Sequence, residues 1–195
     1  ERQFNYSLAI QGIKQIIWGL FKKVVVADNC AFFVNQLFEN SAAYSAPELW
    51  LGIFFFAFQI YCDFSGYSDI ALGTSKLFGI ELLRDFNFPY FAKDIADFWR
   101  RWHISLSNFL RDYLYFPLGG SRHGVARVVM ATMVTMALCG LWHGAGWTYI
   151  AWGLWPGFGL LVCRVWGSLK LPLPPAFSWF FIMLFVVAAG VLCRA

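Results

Sequence analysis

Of the three histidines in this 195-residue chain, one stands apart from every formal charge. His143 lies in Cys139-Gly-Leu-Trp-His-Gly-Ala-Gly-Trp147, inside a run from Val128 to Cys163 that contains no Asp, Glu, Lys or Arg. An imidazole in such sequence is costly to keep unless a partner or a water-filled cavity receives it, so it is a candidate functional group. The alternative is a histidine that only hydrogen-bonds a neighbouring helix. With an ordinary pKa near 6.5, a histidine suits proton transfer at neutral pH. It can take the proton from a hydroxyl that attacks a thioester while donors stabilise the oxyanion, which is acyl transfer.

Other side chains could serve that chemistry. Arg100, Arg101, Arg111 and Arg122, with Lys93 and Arg127, form a basic cluster able to hold the phosphates of coenzyme A or an acidic carrier protein. Gly140, Gly144 and Gly146 either admit a thin chain such as pantetheine or serve helix packing. Trp142 adjoins the candidate base. Asp63 and Asp69 are either helix caps or the lining of a polar cavity. His103 falls at the margin of an apolar helical face, turned toward either the protein or the headgroups, and His123 reads as a solvated loop histidine. Three histidines without carboxylates at ligand spacing argue against a metal centre.

The elements that position these groups belong to a membrane protein. The chain is 59% hydrophobic and 13% charged, far from soluble composition. Leu171 to Cys193 is long enough to cross the hydrocarbon core as a helix, whereas Leu49 to Cys62 is shorter and extends only by accepting Glu48 or Asp63. Tyr6 to Asp28 carries Lys14, Lys22 and Lys23, so it is a span with snorkelling lysines or a helix partly buried in protein. Asn40 to Pro47 reads as a loop. Asp63 to Asp69 is expected to break the apolar run, with Ile70 to Ile80 as a second short helix.

Lys93 to Tyr115 is expected to be one amphipathic helix lying in the membrane interface, with Ile95, Phe98, Trp99, Trp102, Leu106, Phe109 and Tyr113 on one face. Asp97 can pair with Arg101 one turn on. The run from Val128 to Cys163 divides into two helices at its glycines. Val128 to Gly140 rises only about 20 Å, which leaves His143 inside the bilayer if Arg127 marks the cytoplasmic edge. The net charge of +4 is concentrated in connections, which argues that these face the cytoplasm. Nucleic acid is not an expected partner, because the basic residues sit in lipid-compatible sequence. Five scattered cysteines read as packing residues.

Phe98-Trp-Arg-Arg-Trp-His-Ile-Ser-Leu-Ser107, Leu110-Arg-Asp-Tyr-Leu-Tyr-Phe-Pro-Leu-Gly-Gly120 and Gly140-Leu-Trp-His-Gly-Ala145 resemble signatures of the membrane-bound O-acyltransferase family. Gln59-Ile-Tyr-Cys-Asp-Phe-Ser-Gly-Tyr-Ser-Asp-Ile-Ala-Leu-Gly73 is a fourth block, and the match covers most of Phe4 to Gly157. The branch it resembles most is the bacterial alginate O-acetyltransferases, and less so the D-alanine transferases of teichoic acids. The resemblance implies a catalytic role for His143 and maps a second family histidine onto His103. Pro156, in Trp152-Gly-Leu-Trp-Pro-Gly157, departs from the histidine expected in many relatives.

The expected fold is all-α, a polytopic membrane protein with transmembrane, interfacial and re-entrant helices, and residues 1–195 are expected to be one piece of a larger acyltransferase domain, truncated at both ends. By resemblance, the protein sits in the bacterial inner membrane as a multi-pass enzyme without a bound cofactor. It would take acetyl from acetyl-coenzyme A or an acyl-carrier thioester toward an exopolysaccharide such as alginate, with an exported acetyltransferase and polysaccharide machinery as partners and lipid around it. Transfer of D-alanine or another acyl group, or a proton-coupled transporter using His143, are the rival readings.

Overall fold

The computed structural model describes residues 4–194, and among them it contains helices and turns but no strand. The chain divides into two compact units, Glu1–Phe86 and Asn87–Ala195.

In the first unit, α1 (Tyr6–Leu20) starts where the Asn5 side chain accepts from the Leu8 amide. It continues through a π-helical turn, Phe21–Ala27, into α2 (Asp28–Glu39). After a short loop, α3 (Ala46–Leu77) begins with a capping box in which the Ser45 amide donates to Glu48 at 2.8 Å. The expected break at Asp63 to Asp69 does not occur. α3 passes through it without interruption, because the carboxylates that suggested caps find partners on the neighbouring helix instead.

Helices α1 and α3 run antiparallel with their backbones almost touching. A Cβ on Gly12 would stand 2.6 Å from the Gly73 carbonyl oxygen, and one on Gly19 would stand 2.6 Å from that of Gly66. Small residues spaced one heptad apart on both helices permit that approach. Around it the polar groups interlock. Lys22 pairs with Asp69 at 2.5 Å and donates to Ser65 at 2.9 Å. Gln15 donates to Asp69 and accepts from Lys76, while Lys23 pairs with Asp63. The π-helical turn, which carries the Asp28 amide back to the Lys23 carbonyl, places both consecutive lysines against α3. Of the two readings of this stretch, a helix partly buried in protein is the one observed.

In the second unit, α4 (Ile95–Trp99) and α5 (Ile104–Leu110) replace the expected single helix from Lys93 to Tyr115. A helical wheel records periodicity and misses the local break. The chain turns at His103, whose φ of 43° is left-handed. The backbone groups released there are satisfied: the Asn87 amide donates to the Arg101 carbonyl, and Ser107 Oγ donates to the Trp102 carbonyl. A π-helical turn, Arg111–Tyr115, follows α5.

The two helices expected between Val128 and Cys163 are present as α6 (Val125–His143) and α7 (Trp147–Leu169), joined at Gly144 to Gly146. They cross closely, since a Cβ on Gly140 would meet the Tyr149 carbonyl at 2.2 Å and one on Gly153 the Met136 carbonyl at 2.3 Å. Helix α8 (Pro175–Arg194) packs on α7 through Trp155, which stacks on Phe185 and donates to its carbonyl at 3.0 Å. Among the described residues, three helices are long and apolar enough to cross a membrane: Ala46–Leu77, Val125–His143 and Pro175–Leu192.

Candidate functional site

His143 is the last residue of α6, and Arg127 lies in that helix's first turn. The helix extends three residues past the expected end at Gly140. The rise along α6 from Arg127 to His143 is therefore about 24 Å at 1.5 Å per residue.

Aromatic rings fix the imidazole. Trp142 meets it edge-on with centroids 4.9 Å apart, and Trp152 of α7 does the same at 4.8 Å. Gly144, next in the chain, has no room for a side chain, because a Cβ there would stand 2.4 Å from the Tyr149 ring. Gly140 and Gly144 are thus filled by the packing of α7 on α6, which leaves no passage for a thin chain at these two positions. Gly146 is the exception, with only ordinary contacts around its Cβ position. Among the described residues, no carboxylate is hydrogen-bonded to His143, so its orientation comes from the two indoles and the turn. The orienting Trp152 escaped the sequence reading; a tryptophan nine residues from the histidine across a glycine-rich turn is its only signal.

His103 and His143 lie within electrostatic reach of each other. The left-handed turn at His103 separates α4 from α5 and makes this residue the N-cap position of α5. It is this turn, absent from a continuous helix, that sets the direction in which the imidazole leaves the backbone.

A cavity of about 770 Å³ lies within the second unit, bordered by Trp99, Arg100, Arg111, Thr132, Thr135 and Arg164 among others. Neither histidine lines it; Ile104 follows His103 in its wall, and Met136 stands two turns before His143 on α6. The basic residues expected to act together divide. Arg100 and Arg111 border the cavity, and Arg111 also holds Asp112 in a two-pronged contact at 2.8 and 3.1 Å. Arg101 turns away to pair with Asp97 at 3.0 Å, as the sequence spacing suggests, and reaches the Asn87 carbonyl. Arg122 sits exposed in the loop after Gly120 and does not border the cavity. Arg164, the first charge after the Val128–Cys163 run, also borders the cavity, and nothing in its local sequence marks it.

Asp97 is mostly buried, which by itself pushes its carboxyl upward. The Lys93 amide and the Arg101 and Arg100 guanidiniums outweigh that effect and hold it below the usual carboxylate range. Asp63 and Asp69 belong to the first unit, where Lys23 and Lys22 occupy their carboxylates. Among the described residues, no group of three or more His, Cys, Asp or Glu is placed to hold a metal ion.

The sequence matches the model of the membrane-bound O-acyltransferase family over residues 2–192. It is 42% identical over 199 residues to the peptidoglycan O-acetyltransferase of Helicobacter pylori, covering all of this chain and 38% of that protein. It is also 42% identical over 187 residues to the probable alginate O-acetylase AlgI of Pseudomonas aeruginosa, covering 95% of this chain and 36% of the relative. With the teichoic acid D-alanyltransferase of Streptococcus thermophilus it shares 31% identity, across 80% of this chain and 40% of the other. The chain spans less than half the length of these curated relatives.

Proposed function

This chain belongs to the membrane-bound O-acyltransferase family, and from that premise we propose that the protein containing it transfers acetyl from a cytoplasmic thioester toward a hydroxyl of an exported glycan. The observation that carries the reading is His143, held between two indoles at the end of a membrane-spanning helix, with a second imidazole within electrostatic reach.

In the proposed step, His143 removes the proton from the attacking hydroxyl. The oxygen bonds to the thioester carbonyl carbon, the carbon–sulfur bond breaks, and the imidazolium returns its proton to the departing thiolate. His103 assists as a supporting group at the same site. The donor is acetyl-coenzyme A or an acetylated carrier protein, whose phosphates suit Arg100, Arg111 and Arg164 at the cavity. Donor at the arginine end and histidine about 24 Å along α6 from Arg127 fit transfer across the bacterial inner membrane by a multi-pass protein.

The acceptor reading is an exopolysaccharide such as alginate, reached directly or through an exported acetyltransferase. Peptidoglycan is the second reading, favoured by a relative of that name that matches the whole chain at 42% identity. D-alanine transfer is supported less, because the relative that carries that name is more distant.

The test incubates the full-length protein in membranes with radiolabelled acetyl-coenzyme A and follows the label. Label in a glycan or a partner protein supports the reading. Label that stays on coenzyme A alone counts against it. Cysteines placed singly at Arg100 and Arg111 are expected to react with impermeant reagents from the cytoplasmic side; reaction only from outside would reverse the proposed orientation.

A further inference from the structure

His143 is exposed apart from its ring contacts, and among the described residues no carboxylate fixes its imidazole. A histidine side chain has several staggered positions open to it. A base misplaced by about 1 Å can lose about 100-fold in rate, so one of those positions has to be selected. The two indoles are not equal candidates for that task. Trp142 is 67% exposed and belongs to the same helix end as His143, so it moves with the backbone it would have to hold. Trp152 is mostly buried and comes from α7. Its contact, with ring centroids 4.8 Å apart and planes 74° to each other, ties the imidazole to a second element.

The place of Trp152 is itself fixed by packing. Its neighbour Gly153 lies so close to α6 that a Cβ would collide with the Met136 carbonyl, and Gly140 stands in the same relation to the Tyr149 carbonyl. Pro156, buried one turn on, has no amide to give the Trp152 carbonyl, so this turn of α7 takes its geometry from α6 more than from its own hydrogen bonds. Trp155, three residues along α7, serves a different contact, stacking on Phe185 of α8. Neither Trp152 nor Trp155 borders the cavity at the arginines.

We propose that Trp152 is a positioning residue for the acetyl transfer, holding the His143 imidazole in the orientation from which it takes the hydroxyl proton. That is the task a carboxylate performs beside the base of a Ser-His-Asp triad. The inference rests on the reading of His143 as the base. An aromatic pair of this geometry shifts an equilibrium by about three- to tenfold beyond its burial, so losing the ring lowers the fraction of correctly placed imidazole by about that factor. The loss falls on kcat. The KM for the donor is untouched, because other residues border the cavity proposed to hold it.

Kinetics of acetyl transfer from acetyl-coenzyme A by the full-length protein in membranes, expressed per molecule of protein, test this. Trp152→Leu, which keeps apolar bulk without a ring, should lower kcat about three- to tenfold with KM unchanged. Trp152→Met takes its place if the Leu variant does not accumulate. Trp152→Phe, which keeps a ring, should restore most of kcat. Trp155→Leu, the same change facing α8, should lower stability without changing kcat per molecule. Equal kcat in the Leu and Phe variants, a loss confined to protein level, a rise in KM in place of the fall in kcat, or an equal fall in Trp155→Leu overturns the positioning role and leaves the acetyl-transfer reading standing. An unaltered protein that transfers no acetyl, or transfer that survives His143→Ala, overturns the reading beneath it and the positioning role as well.

Discussion

The two units use polar groups in opposite ways. In the first, Lys22, Lys23, Lys76, Gln15, Asp63, Asp69 and Ser65 bond to one another between α3 and the stretch formed by α1 and its π-helical turn, around a backbone approach that only glycine allows. In the second, the helix that should hold the signature Trp-His-Ile-Ser block is broken at a left-handed His103, and Arg100, Arg111 and Arg164 border a cavity. Ion pairs in the first unit fasten one helix to another, whereas Arg100 and Arg111 pair, among the described residues, only with near neighbours in the chain, Asp97 and Asp112, and also border the cavity. The first unit therefore reads as scaffold, and the second holds the groups that the proposed chemistry needs.

That contrast can be broken first at His143. His143→Ala is expected to cut acetyl transfer by about 10²- to 10⁴-fold with ordinary abundance in the membrane. His103→Ala should also lower turnover, and adding it to His143→Ala should change little, because residues acting as a unit are non-additive. Near-normal transfer by the His143 variant, measured at matched protein level, would remove the site from the second unit.

The first unit should respond in stability rather than in chemistry. Asp69→Leu strands Lys22, which is only 12% exposed, and is expected to cost about 3–5 kcal/mol in thermal or denaturant unfolding. Combining it with Lys22→Met should recover most of that loss. If Asp69→Leu left stability intact but abolished transfer, the scaffold reading of this network would be wrong.

A smaller effect is expected at the glycine contact. Gly66→Ala places a Cβ 2.8 Å from the Gly19 carbonyl oxygen, and the separation of backbones needed should cost about 1–3 kcal/mol. Gly167→Ala, where nothing lies within 4 Å, is the control and should be neutral or slightly stabilising. Equal behaviour of the two variants would mean that the backbone approach is not what holds α1 to α3.

The smallest effect concerns pH. Because the carboxyl of Asp97 is held below its unfolded value of about 3.9, its contribution is present above that value and fades as pH falls through the lowered folded one. Hydrogen exchange in α4 should accelerate in that acid window, and Asp97→Asn should remove the pH dependence while weakening α4 at neutral pH. An acid response unchanged in Asp97→Asn would place its origin elsewhere.

Composition, charge-free runs and four motif blocks were enough to establish an all-α membrane protein of this family, to divide Val128 to Cys163 into two helices, and to single out His143. They were enough because lipid imposes its requirement on every residue of a span, so the requirement is written locally in the sequence. Pairing across distance is written nowhere locally. Asp63 and Asp69 looked like caps because their lysine partners lie some forty residues and more away on another helix. Lys93 to Tyr115 looked like one helix because its apolar period continues across a turn sustained by the Asn87 amide, which donates to the Arg101 carbonyl, and by the local bond from Ser107 to the Trp102 carbonyl. Gly140 read equally as an opening or as a packing contact and is a contact with α7, and Arg164 joined the cavity only once the chain had folded back on itself. Sequence by itself determined which residues tolerate lipid and which are candidates for chemistry; which charges pair across helices, and which border a cavity, only the packing of helices distant in the chain decided.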